Sequence, residues 1–133
     1  AVKRALGGFP APGRVLEVTA GRALSVGPGQ ALILGARVEC EGAAVVDQSD
    51  GWTVVCLSGA DARDVLARLT SLDIRDGAFP EARTARTLIG HMTASLTRVS
   101  PYHYEIMVFR SMTETLLHEV ERAMAHVAAR ARV

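Results

Sequence analysis

The sequence predicts an α+β domain, an antiparallel or mixed sheet with two helices on one face. Three observations lead there. An apolar run over residues 52–57 is followed at once by a helix start. An alternating segment over 87–98 is answered by a second apolar strand over 103–109. A capping box at Ser111 opens a last amphipathic helix. From residue 52 the order is β-α-β-β-α, close to a ferredoxin-like split arrangement, with more strands before it.

Residues 1–12 are small and Gly/Pro-rich and read as an N-terminal arm; residues 13–133 read as the domain proper, the whole chain 1–133 being a single domain. Strands are expected over 14–19 and 22–26, with Ala20-Gly21 as a tight turn, and over 30–34 after the turn Gly27-Pro28-Gly29. Residues 36–42 read as a polar loop, and Ala44-Val45-Val46 as a short strand ended by Asp47-Gln48-Ser49-Asp50-Gly51. The run 52–57 is apolar on both alternating faces. That predicts a central strand covered on both sides, with Cys56 a buried thiol. Ser58 is placed to cap the next helix, on which Ala62, Val65, Leu66 and Leu69 recur at helical spacing. Residues 87–98 read as one long strand. Leu88, Gly90, Met92, Ala94 and Leu96 share its dry face, the opposite face is wet, and Ile89 is the exception. Ser100-Pro101-Tyr102 turns the chain into the strand 103–109. Ser111-Met112-Thr113-Glu114 then caps a helix to about Arg130, with an apolar stripe of Leu116, Leu117, Val120, Ala123, Met124 and Val127.

Composition removes several classes of function. Hydrophobic residues make up 49% and charged ones 22%, as in ordinary globular domains. Fifteen basic residues against 14 acidic ones give no electrostatic motive for nucleic acid or an anionic membrane. No apolar stretch approaches the roughly 20 residues that span a bilayer. Two cysteines, Cys40 and Cys56, make neither a CxxC pair nor a disulfide framework, so a reducing, cytoplasmic compartment is expected.

The chemical inventory predicts no catalytic, cofactor-binding or metal site in this chain. His118 and His126 are eight apart on one helix and miss the i,i+4 spacing that lets two imidazoles share a metal. His91 and His103 fall on separate strand positions. The Asp47–Gly51 cluster lacks the ligand spacing of a calcium loop and reads as a turn. No GxGxxG or Walker lysine occurs, and no serine, threonine or cysteine has a base tied to it. Two candidate contact residues for a partner remain. Trp52, the only tryptophan, is either a core plug or a buried anchor at an interface, and Arg110 stands just before the last helix.

Taken in order, the blocks resemble the γ subunits of heterotetrameric sarcosine oxidases. They are Gly21-Arg22-Ala23-Leu24-Ser25-Val26-Gly27-Pro28, Ala31-Leu32-Ile33-Leu34, Val46-Asp47-Gln48-Ser49-Asp50-Gly51-Trp52, and Leu57-Ser58-Gly59-Ala60-Asp61-Ala62-Arg63-Asp64-Val65-Leu66. Asp73, Phe79-Pro80, Arg86-Thr87-Leu88-Ile89-Gly90-His91 and Phe109-Arg110-Ser111 continue the series. The resemblance implies a fold related to the folate-binding aminomethyltransferase domains and a non-catalytic role beside α, β and δ subunits. The implied assembly is a flavoenzyme that demethylates sarcosine to glycine, with hydrogen peroxide and formaldehyde or methylene-tetrahydrofolate as products. FAD, FMN, NAD, tetrahydrofolate and zinc are implied in the partner subunits and none in this chain.

Three other readings are open at this point. One is the γ subunit of a related N-methyl amino acid dehydrogenase acting, for example, on N-methylglutamate. Another is a free-standing folate-binding module, for which Asp47 or Asp50 would have to pair with the pterin. The last is an unrelated small-ligand regulatory domain that forms a symmetric homodimer.

Overall fold

Alternating apolar and polar residues fold here into two antiparallel sheets. The structure, a computed structural model, describes residues 7–19 and 21–132. The first six residues of the expected arm, and Ala20 of the expected turn, lie outside the described residues. A three-stranded sheet runs in the order β1 (Val15–Val18), β2 (Gly21–Gly27), β3 (Gln30–Leu34). Gly21 is required where it stands, because a Cβ there would meet the Leu34 carbonyl oxygen at 2.1 Å.

The larger sheet has the order β4-β7-β6-β5, from β4 (Trp52–Ser58), β5 (Thr84–Ile89), β6 (Met92–Ser100) and β7 (His103–Phe109). Its one dry face carries α1 (Ala62–Ala67) and α2 (Thr113–Ala131). The α+β class and the two helices are those the sequence predicts. Every neighbour in the sheet is antiparallel, however, whereas a split βαβ arrangement contains parallel pairs.

The difference begins at Gly90. Residues 87–98 are not one strand but the two arms of a hairpin, β5 and β6, closed by Gly90 and His91. Gly90 has φ 58°, and it holds the first central position, where a type II′ turn takes glycine. The turn resets the alternation. Ile89 becomes fully buried opposite Met92, and Leu88 is 52% exposed. The out-of-phase Ile89 was therefore the mark of a turn.

Five further expectations are corrected. The run 52–57 forms an edge strand rather than a central one, so Cys56 is exposed. The segment Ala44-Val45-Val46 is not a strand but exposed chain. Neither helix begins as expected. Asp61 precedes α1 and Met112 precedes α2, without a side-chain cap, and Ser58 stays in β4. Ahead of α2, Thr113 donates to the Arg110 carbonyl at 2.7 Å, and this closes a short 3₁₀ turn in place of the capping box. Leu116, Val120 and Ala123 of the α2 stripe are buried, whereas Leu117 and Met124 are exposed on its flank.

The outer face of the large sheet is also not wholly wet. Thr84 and Thr97 are buried there and hydrogen-bonded to each other at 2.9 Å. The small sheet joins this side through the Arg14–Arg83 bridge and an ion pair between Arg22 and Glu105.

The main core lies between the large sheet and the helices, around Leu57, Leu66, Phe79, Leu96, Tyr104, Ile106 and Leu116. The loop after α1 is drawn in by Arg98, whose guanidinium is nearly buried. It donates to the carbonyls of Phe79 at 3.1 Å and Pro101 at 3.0 Å and meets Asp76 at 2.9 Å. It also lies 5.8 Å from the Tyr104 ring centroid, within cation–π range.

Leu66 has no exposed surface. Leu66→Ala is expected to lower stability by about 2–5 kcal/mol, from lost burial plus the cavity left, measured by urea unfolding. Burial raises the Tyr104 phenol above its ordinary value, against the smaller opposing pull of Arg98. The folded state then holds that proton more tightly than the unfolded chain, so this contribution is full below about pH 10 and is lost as pH rises beyond it. Urea midpoints should therefore fall less steeply above pH 10 in Tyr104→Phe than in the natural protein.

Candidate functional site

The β4–β7 pairing runs unbroken from Trp52 opposite Phe109 to Ser58 opposite His103. Side chains alternate across a strand, so Trp52, Val54, Cys56 and Ser58 share the outer face with Phe109, Met107, Glu105 and His103. Two groupings result, one at each end of the ladder.

At the first end Trp52 and Phe109 stack, with ring centroids 4.5 Å apart and an interplanar angle of 28°. The indole Nε1 donates to Gln48 Oε1 at 3.1 Å. Arg110 follows Phe109 and reaches Asp50 at 4.0 Å, both side chains standing in solvent, where such a pair contributes little. The structure thus brings together the two residues singled out in the sequence. Trp52 takes part in packing between the two sheets. It is half-buried and lines a crevice between the two sheets with Val26, Leu32, Arg86, Ser95 and Met107, and its partner ring Phe109 is 49% exposed.

That crevice has a volume of about 30 Å³, room for a water and far below the size of a small-molecule site. Asp47 and Asp50 do not line it. Asp47 accepts from the Ser49 amide at 2.9 Å and the Ser49 hydroxyl at 2.6 Å, and these bonds lower its pKa. The 47–51 cluster is the turn that its residues suggest.

Around this end the surface is apolar and open. Val54 is 40% exposed on the edge strand, and Val45 and Val46 are exposed in the preceding segment. All residues over 41–51 are exposed. Among the described residues, no backbone hydrogen bond ties 36–47 to the rest of the fold.

At the second end the ladder assembles a group that the sequence reading missed. Cys56 Sγ, a ring nitrogen of His103 and a carboxylate oxygen of Glu105 lie within 4.8 Å of one another. Linear spacing could not reveal it, since Cys56 is 47 positions from His103. The available signal was register, because pairing 52–58 antiparallel with 103–109 sets Cys56 opposite Glu105.

Against known proteins, the family model of the sarcosine oxidase, gamma subunit family matches residues 11–126. Among solved structures, the chain is similar to a chain of the heterotetrameric sarcosine oxidase from Corynebacterium sp. U-96 in complex with pyrrole 2-carboxylate. The TM-score is 0.83 at 26% identity, over 94% of this chain and 71% of that one. No curated protein matches the sequence significantly.

Trp52→Ala removes the stack and its part of the crevice wall. A loss of about 1–3 kcal/mol is expected in urea unfolding, with the far-ultraviolet circular dichroism of the folded state unchanged. Collapse of the fold would instead make Trp52 indispensable to the core.

Proposed function

The chain belongs to the sarcosine oxidase γ-subunit family, and from that premise we propose that it is the γ subunit of a heterotetrameric sarcosine-oxidase-type flavoenzyme. The observation that carries this reading is a likeness extending over nearly the whole chain to one chain of such a heterotetramer. In this role it contributes surface and shape, not an active site. Its partners are the α, β and δ subunits, which hold FAD, FMN, NAD, tetrahydrofolate and zinc. The assembled enzyme oxidises the N-methyl group of sarcosine, yielding glycine, hydrogen peroxide, and formaldehyde or methylene-tetrahydrofolate.

The Trp52 end of the β4–β7 ladder is the contact surface in this reading. Phe109 and Val54 offer apolar area on rigid strands, Trp52 backs them, and Arg110 and Asp50 supply a polar rim. A buried aromatic centre ringed by polar side chains is how protein interfaces concentrate their energy. The preceding segment adds the exposed Val45 and Val46 to this apolar surface. Among the described residues no helix is long and apolar enough to cross a membrane.

Native mass spectrometry of the complex purified from its source tests the proposal. Four different chains carrying flavin, active on sarcosine, are the expected result; a flavin-free monomer or homodimer overturns it. Phe109→Asp puts a charge where apolar area would be buried. It is expected to weaken assembly at least tenfold while leaving the isolated subunit folded, read by co-purification of the other chains.

A further inference from the structure

We propose that Cys56, His103 and Glu105 form a binding site for a divalent transition metal of the zinc class. The site is independent of the subunit reading and lies at the other end of the same ladder. Sulfur, nitrogen and oxygen donors are the set zinc takes in proteins. Here they come from adjacent positions on two paired strands, so the backbone register holds them together. Donors around a tetrahedral zinc stand about 3.6 Å apart, given Zn–S near 2.3 Å and Zn–N near 2.1 Å. The three ligand atoms lie within 4.8 Å of one another, about 1 Å looser than that spacing.

Two of the three donors already have the outer partners that metal ligands need. The Ser58 hydroxyl lies 3.1 Å from His103 Nδ1. With the proton on Nδ1, donated to Ser58 Oγ, the Nε2 lone pair is left for the ion. Arg22 engages Glu105 through Oε1. The other carboxylate oxygen, Oε2, is buried and has no hydrogen-bond partner among the described residues. A buried carboxylate oxygen without a partner is costly, and a cation beside it removes that cost.

A structural ion pair with Arg22 accounts for Oε1 alone, and leaves both Oε2 and the neighbouring thiol unexplained. The cysteine is exposed, so an ion can enter from solvent, and water completes the fourth position. Binding exchanges the thiol proton for the metal. The S–H bond breaks, the S–M bond forms, and one proton passes to solvent. Thiolate and carboxylate together then carry two negative charges against the two of the ion.

The test is calorimetric titration of the chelator-treated full chain with Zn²⁺ alone, in two buffers of different ionisation enthalpy. One equivalent is expected to bind, with proton release and a rise in the thermal midpoint. Cys56→Ser and His103→Gln should each weaken binding at least tenfold, and Ser58→Ala should weaken it less. With Co²⁺ as the probe, a thiolate-to-cobalt charge-transfer band should appear and be lost in Cys56→Ser. Neither variant touches the core, and unchanged melting without metal serves as the control on folding. Absence of saturable binding at micromolar Zn²⁺ overturns the site. So does affinity unaltered by both Cys56→Ser and His103→Gln, or a cobalt spectrum without the thiolate band.

Discussion

The β4–β7 ladder is the constraint on which the rest of the molecule depends. Seven consecutive antiparallel pairs fix which residue of one strand faces which residue of the other. A slip of one position would turn every outer side chain inward. The inner faces of both strands supply Leu57, Tyr104, Ile106 and Val108 to the core, so such a slip would also bury Cys56 and Glu105 among the helices. Core burial therefore holds the register, and the register in turn stacks Trp52 on Phe109 and sets Cys56 across from Glu105.

The two faces of the large sheet are treated differently. One is sealed by α1 and α2. The other is covered only in part by the small sheet, which hides Thr84, Ser95 and Thr97 and leaves the β4 edge open. Arg22 and Glu105 pin the small sheet at the boundary between covered and open surface, each largely removed from water. An unpaired strand edge with an exposed valine, beside the exposed Phe109 of β7, is a hazard in a lone protein.

Arg98 performs a comparable service on the dry side. The loop between α1 and β5 has no regular structure of its own, yet it must deliver Phe79 to the core. The guanidinium reaches two backbone carbonyls and Asp76 from β6, a strand paired on both sides. These partners answer the two terminal nitrogens, while Nε is buried without a hydrogen-bond partner among the described residues.

By itself the sequence determined the class of fold, the strands over 30–34 and 103–109, the last helix and the family, because these rest on local periodicity and on an ordered string of blocks. It singled out Trp52 and Arg110 as candidate contact residues for a partner, but did not show that they meet at one end of the same ladder. Local pattern could not tell an edge strand from a central one. Val54 and Cys56 are apolar in either case, and only the sheet order exposes them. It also read through Gly90, because a hairpin turn of two residues preserves alternation on either side while shifting its phase. Ser58 and Ser111 looked like helix caps because capping residues are recognised by type, whereas the choice of partner is made by what folds alongside. For Ser58 that partner is His103, 45 residues away. The meeting of Cys56, His103 and Glu105 belongs to the tertiary structure alone, since a pairing register is a long-range fact that hydrophobic burial enforces and linear spacing does not record.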